Sequence, residues 1–296
     1  MLSVFQHKKT IAGILGCIVF LVIACWDKDS LQNRAIGMAL LMVIFWVFEV
    51  VPIYVTALIP LVLCTPLSLL DPTELALAYG NNNVYLFLGG FILALALEKW
   101  NVHHQIASRI LAIMGSTKSK ILLGFGLSSY LLSMWISNTA TTLMMLPMAI
   151  SIIQAQKQSE ESNRFSLLLM LTVAYAASIG GMATLVGSPP NTQMAGTLES
   201  TFGIEISFWQ WMRIGLPLSL FVFMVLNGFF QIILGSQRNE KILINIQQVQ
   251  WTTPQKRVLF TFAIVIFLWV TRGLIVDYTG ISFKDSSVAI LGGIVL

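Results

Sequence analysis

Between Ser128 and Thr142 an apolar stretch is seeded with Ser128, Ser129, Ser133, Ser137, Asn138, Thr139, Thr141 and Thr142. Their hydroxyl and amide groups offer uncharged oxygens and hydrogen-bond donors. In a run apolar enough for a bilayer such groups are costly unless they line a cavity or hold a ligand, because hydrocarbon supplies no water to satisfy them. The stretch is a binding-site candidate on that ground alone. A second stretch, Phe165 to Thr197, carries Gly180, Gly181, Gly187, Pro189 and Pro190 in its middle. Glycine and proline together end a helix and leave carbonyl oxygens without intrahelical partners. Asn191 and Thr192 are expected to open a new short helix, whose N–H groups attract anions while the freed carbonyls suit a cation such as Na⁺.

Length decides what positions these groups. The apolar run from Ile121 to Ile153 covers 33 residues. One spanning helix takes about 20 residues, and two with a turn take more than about 40. A run between those lengths is expected to enter the membrane halfway and return as a re-entrant helical hairpin, with the polar residues at its tip. The 165–197 element is expected to be a broken transmembrane helix. Two interrupted elements meeting at mid-membrane are the sequence pattern of a secondary transporter.

Composition sets the surroundings. The chain is 56% hydrophobic and 10% charged with a mean hydropathy of +0.82, against about 25% charged in soluble proteins, so it reads as an all-α polytopic membrane protein in contact with lipid. The net charge of +4 and pI near 9.0 do not point to nucleic acid, because the basic residues sit in short loops between apolar runs, where membrane orientation explains them. Cys17, Cys25 and Cys64 lack a CxxC spacing, and His7, His103 and His104 lie in polar segments, so neither a disulfide framework nor a metal centre is indicated. A membrane-embedded enzyme would need an intramembrane His, a Ser with its base, or paired acids, and the sequence places no His there. Lys8 and Lys9 precede an apolar run with no clear cleavage site, which reads as a retained first helix.

The basic residues also test the hairpin. With a cytoplasmic N-terminus and a hairpin that returns, 12 of the 17 Lys and Arg fall on the cytoplasmic side, Lys118, Lys120, Lys157 and Arg164 among them, and five fall outside: Lys28, Arg34, Arg213, Arg272 and Lys284. A single full crossing would give nine against eight. The asymmetry favours re-entry. The last apolar segment, Ser286 to Leu296, has eleven residues and cannot cross a bilayer at about 1.5 Å per residue, so the chain is expected to stop inside a helix.

The pattern S-x-x-x-S-N-T-A-T at Ser133 to Thr141, with G-S-P-P-N at Gly187 to Asn191, resembles the divalent anion/sodium symporter family of sodium-coupled carboxylate transporters. W-x-x-E-x-x-P-x-x-V-T-A-L-x-P at Trp46 to Pro60 and F-L-G-G-F-I-L-A-L-A-L-E-K-W at Phe87 to Trp100 extend the likeness, which runs from about residue 35 to the end. The resemblance implies an inverted-repeat transporter fold in which a substrate-carrying part moves against a scaffold. Residues 1–100 would be scaffold helices, 101–120 a cytoplasmic interfacial helix bearing His103, His104 and Arg109, 121–209 a transport half-domain, and 210–296 further helices. It also implies that Ser133, Ser137, Asn138 and the carbonyl at or near Gly187 hold Na⁺, and that Asn138, Thr139, Pro190 and Asn191 face the substrate carboxylate. The implied activity is Na⁺-coupled uptake of a small di- or tricarboxylate of the succinate, malate or citrate class, in a homodimer in the cell membrane, a bacterial inner membrane. A sulfate or other anion symporter and a non-transporting accessory or remnant subunit are the alternatives. No second S-N-T or P-P-N occurs in the 296 residues, so the expectation is a chain truncated after the first repeat, holding half of the site and transporting nothing alone.

Several residues read more plainly. Ser128 and Ser129 are expected to bond the preceding turn of their own helix, and Glu49, near a helix end, to cap a neighbouring helix. Trp26, Trp46, Trp100, Trp209, Trp211 and Trp251 read as an interfacial belt. Gly89 and Gly90 read as a close helix contact.

Overall fold

The computed structural model describes residues 2–27, 29–156, 160–242 and 250–296, which leaves Lys28 and Lys157 outside the described residues. Among them there is no strand, and five helical stretches are long and apolar enough to cross a membrane. Contacts divide the chain into two units, 1–81 and 82–296.

The first unit holds α1 (Leu2–Trp26), α2 (Leu31–Val47), α3 (Ile53–Thr56), α4 (Ile59–Leu63) and α5 (Pro72–Tyr79). Ser30 caps α2 by accepting from Asn33 N at 3.3 Å. Gly37 lets α2 lie against the Phe20 carbonyl of α1. Lys9 and Glu49 pair at 3.6 Å, so the exposed Glu49 is joined to α1 by an ion pair rather than by the helix cap expected of it. The apolar run from residue 53 onward makes two short helices rather than one long one. Pro52 stands before α3 and Pro60 in the first turn of α4, and each removes a backbone donor that a continuous helix needs.

The second unit holds α6 (Asn82–Lys99), α7 (Val102–Met114), α8 (Lys118–Ser133), α9 (Asn138–Gln154), α10 (Glu160–Gly180), α11 (Pro189–Phe202), α12 (Phe208–Leu234), α13 (Thr253–Thr279) and α14 (Asp285–Val295). Gly89 of α6 meets the backbone of Ala289 in α14 with no room for a Cβ, and Gly90 meets Val186, so both glycines are used for close packing. Phe208 stacks on Trp269 at 4.4 Å in the core beside them. A second core joins Ile121 and Phe125 of α8, Ala149 and Ile152 of α9, and Phe165 and Leu169 of α10. The open ends of α8 and α9 thus lie level with the start of α10. On α7, His103 is buried among the helices rather than turned to water, and burial pushes its imidazole below the ordinary histidine value.

Polar contacts collect at two ends of this unit. At one, the Lys118 ammonium sits 2.6 Å from Glu240 and 5.6 Å from the Phe165 ring, Thr117 pairs with Lys241 in an isolated bridge, and Gln255 donates to the Trp100 carbonyl at 2.9 Å. At the other, Arg272 pairs with Glu205 at 2.9 Å and with Asp285 at 3.1 Å, and Lys284 pairs with Glu205 at 2.7 Å. Lys284 first, then Arg272, holds the Glu205 carboxyl below the usual carboxylate range. A depressed carboxylate stabilises above its unfolded pKa, so the contribution of Glu205 to this closure is present at neutral pH and is lost as pH falls through the depressed value. Helix α12 runs from the second end to the first and α13 runs back.

Candidate functional site

Residues 134–137 join α8 to α9 in a tight turn. The two arms have 16 and 17 residues, about 24–26 Å at 1.5 Å per residue, which falls short of a hydrocarbon core of about 30 Å. This is the hairpin that the length of the apolar run predicts. Its tip meets the interruption between α10 and α11.

At the tip, the Ser133 hydroxyl donates to Asn138 Oδ1 at 2.8 Å. Ser137 is the N-cap of α9 and its Oγ accepts from Ala140 N at 3.3 Å. The first helical bond of α9 runs from Thr141 N to Ser137 O at 2.9 Å, and the N–H groups of Asn138 and Thr139 meet no acceptor among the described residues. Those two donors stand at the positive end of the α9 dipole. Ser128 donates to Gly124 O at 2.7 Å, one turn back on its own helix. Ser129 is buried with no partner among the described residues, so only Ser128 of that pair satisfies the plain reading.

The break, residues 181–188, approaches the tip through glycines. At Gly181 a Cβ would overlap the Asn138 amide, at Gly180 it would overlap the Tyr130 carbonyl, and at Gly187 it would lie 3.0 Å from Ser133 O and 2.7 Å from Gly181 O. The second helix starts at Pro189 and not at Asn191 as expected, and its first two positions are prolines, which have no N–H. Most of the break carbonyls have partners. Asn191 Nδ2 donates to Gly181 O at 2.7 Å and Thr184 O at 2.8 Å, Thr192 Oγ1 to Leu185 O at 2.7 Å, and Asn191 N to Ser188 O at 3.1 Å. Trp211 Nε1 donates to Met182 O at 3.1 Å, a contact with the break that an interfacial position alone does not predict. Ala183 O lies 3.1 Å from where Gly215 of α12 would carry a Cβ. The carbonyls of Val186 and Gly187 receive no donor among the described residues.

Ser133, Asn138, Gly187 and Asn191 therefore converge, with Ser137 capping the helix at the same point. Thr139 and Pro190 are exposed, and no hydrogen bond ties either to the cluster. Two residues that the motifs do not mark also belong here. Thr184, fully buried, donates to Met134 O of the tip and accepts from Gly187 N at 3.0 Å. Trp211 is the other. No ionisable side chain takes part in these contacts.

A short hairpin meeting a broken helix, in an all-helical chain with membrane-length segments, is the architecture of secondary transporters. The citrate transporter family matches residues 43–295, and the chain belongs to it, in keeping with the resemblance to the divalent anion/sodium symporters. The sodium-dependent dicarboxylate transporter SdcS of Staphylococcus saprophyticus is 33% identical over 295 residues, covering 93% of this chain and 56% of that protein. SdcS of Staphylococcus aureus strain USA300 is 32% identical over 314 residues, covering 99% of this chain and 60% of that protein. The chain thus spans a little over half the length of these relatives.

Proposed function

We propose that this chain supplies one half of the ion and substrate site of a Na⁺-coupled symporter for small di- or tricarboxylates. The observation that carries the reading is the convergence at one point of uncharged tip oxygens with break carbonyls and two N–H groups at the start of α9 that meet no partner among the described residues. Na⁺ is a hard cation that takes oxygen ligands, and Ser133, Ser137, Asn138 and the Gly187 carbonyl supply hydroxyl, amide and carbonyl oxygens without a carboxylate. The site stays neutral enough to accept a dianion beside the ion. Asn138 and Thr139, with their N–H groups, face the substrate carboxylate. Pro190 and Asn191 contribute shape rather than donors, since proline has no N–H and Asn191 gives both amide protons to the break. That the relatives are named for sodium-dependent dicarboxylate transport supports this choice of ion and substrate.

In this proposal the hairpin and broken helix belong to a part that moves against a scaffold formed by the earlier helices, in a homodimer with a cytoplasmic N-terminus in the cell membrane. Carrying a dianion into a negative cell costs about 2.3 kcal/mol per charge per 100 mV. Coupling to more than two Na⁺ reverses the sign. The test is uptake of labelled succinate, malate and citrate into proteoliposomes by the chain extended to the full length of its relatives, with Na⁺ or choline outside. Uptake that needs Na⁺ is expected, and equal uptake in choline would refute the coupling. Orientation has its own test. Lys118 is buried against Glu240, so single cysteines belong at the exposed Lys120, Lys256 and Ser200. The first two are expected to be labelled from the same side and the third from the other, and labelling of Lys120 and Lys256 from opposite sides would end the re-entrant hairpin.

A further inference from the structure

Thr184 lies in the break, outside every motif, and its hydroxyl joins the two halves of the cluster. It donates to Met134 O at the hairpin tip and accepts from Gly187 N, 3.0 Å away, while its side chain has no exposed surface. A peptide unit is planar and trans, so the Gly187 N–H and the Val186 carbonyl share one plane and point opposite ways. A hydroxyl that fixes the N–H therefore fixes the carbonyl too. Ala183, Val186 and Gly187 carry carbonyls that receive no donor among the described residues, and of these three residues Gly187 is the one packed against the Ser133 carbonyl. The branched side chain of threonine also holds χ1 stiffly, which keeps the hydroxyl aimed at both partners.

We propose that Thr184 is a positioning residue of the cation site: it ligates neither ion nor substrate, and it sets the Val186–Gly187 peptide plane, orienting the Val186 carbonyl and placing the Gly187 Cα from which the Gly187 carbonyl extends, and tethers that plane to the hairpin tip. The inference rests on the Na⁺ reading above and deepens it. A Thr184→Val change keeps the shape and removes the hydroxyl, leaving Met134 O and Gly187 N buried without their partner. Thr184→Ser keeps the hydroxyl. Ser178→Ala is the control, because Ser178 is exposed and bonds only Ala174 O of its own helix at 3.1 Å.

The experiment is hydrogen exchange on the purified chain in nanodiscs, resolved to the Gly187 amide, across a Na⁺ titration at constant ionic strength with K⁺. In Thr184→Val the Gly187 amide is expected to exchange about tenfold faster or more, and the Na⁺ concentration that half-protects residues 133–138 and 181–188 to rise about tenfold, the size of one lost buried hydrogen bond. Protection of residues 133–138 at saturating Na⁺ stays as in the unmodified chain. Thr184→Ser is expected to match the unmodified chain at Gly187. Unchanged Gly187 exchange in the Thr184→Val variant overturns the proposal, as does a Thr184→Ser variant loosened as much as Thr184→Val, which would assign the effect to packing of the methyl group. If Thr184→Val prevents folding, Thr184→Ala takes its place: Gly187 exchange unchanged in Thr184→Ala, or as fast in Thr184→Ser as in Thr184→Ala, overturns the proposal. No Na⁺-dependent protection in the unmodified chain would instead sink the cation reading on which the proposal rests, whatever Gly187 does.

Discussion

Helices α9 and α11 both begin at the same buried cluster, yet they present opposite chemistry there. The start of α9 offers donors: Ser137 caps it, and the N–H groups of Asn138 and Thr139 are left free. The start of α11 offers none at its first two positions, because Pro189 and Pro190 have no N–H, and Asn191 turns its amide back onto the break. What remains on that side, among the described residues, is carbonyl oxygen at Ala183, Val186 and Gly187. In the proposed reading one helix start serves an anion and the other interruption a cation, side by side and without a formal charge. The difference lies in two prolines and one cap, not in the helices as such.

The largest expected effect is on the side that both ligands share. Asn138→Ala, in the chain extended to the length of its relatives, removes the amide oxygen bonded to Ser133 and the side-chain amide donor while keeping the backbone N–H, and Na⁺-driven carboxylate uptake is expected to vanish at matched expression. Wild-type uptake by that variant would move the site elsewhere. Next comes the carbonyl side. Asn191→Ala leaves Gly181 O and Thr184 O buried without donors, and a loss of about 2–4 kcal/mol of unfolding free energy is expected. Chemical denaturation with the Trp211 region as fluorescence reporter measures it, and a loss well under about 1 kcal/mol would mean that the break holds its shape by packing alone. Gly181→Ala puts a methyl group where the Asn138 amide sits, which is expected to cost about 1–3 kcal/mol as overpacking and to raise the Na⁺ concentration needed for uptake. The smallest effect tests the prolines. Pro190→Ala adds one N–H to the start of α11, and if donors for the anion come from α9, the substrate concentration for half-maximal uptake changes by less than about threefold. A change of about tenfold or more would show that α11 does contact the carboxylate and would erase the contrast between the two helix starts.

The hairpin is legible in the sequence because a run of 33 apolar residues fits neither one crossing nor two, and because its polar residues cluster where the turn falls. Ser128 is legible for a local reason, since its partner is the carbonyl four residues back on the same helix. Thr184 is not, because its partners Met134 and Gly187 lie 50 and three residues away, and a threonine in an apolar run looks the same whether it bonds its own turn or a neighbour. Trp211 escapes for a related reason. Tryptophan near a span end is common at interfaces, and nothing local says that its N–H reaches a carbonyl 29 residues earlier. Helix α11 starts two residues before the expected Asn191 because proline, which breaks a helix from within, also suits the first turn, where no N–H is needed.

The clasp at the root of the hairpin bears on the order of events during synthesis. Lys118 is buried, and its partners Gln237 and Glu240 come about 120 residues later in the chain. At about 5–20 residues per second, α8 exists for several seconds before the groups that neutralise its first residue have been made. An unpaired buried ammonium is strongly unfavourable, so α8 cannot settle with Lys118 in its final place during that interval. The clasp therefore closes only once residues 237–240 have been made, after α12, and this contact is completed out of the order of the sequence.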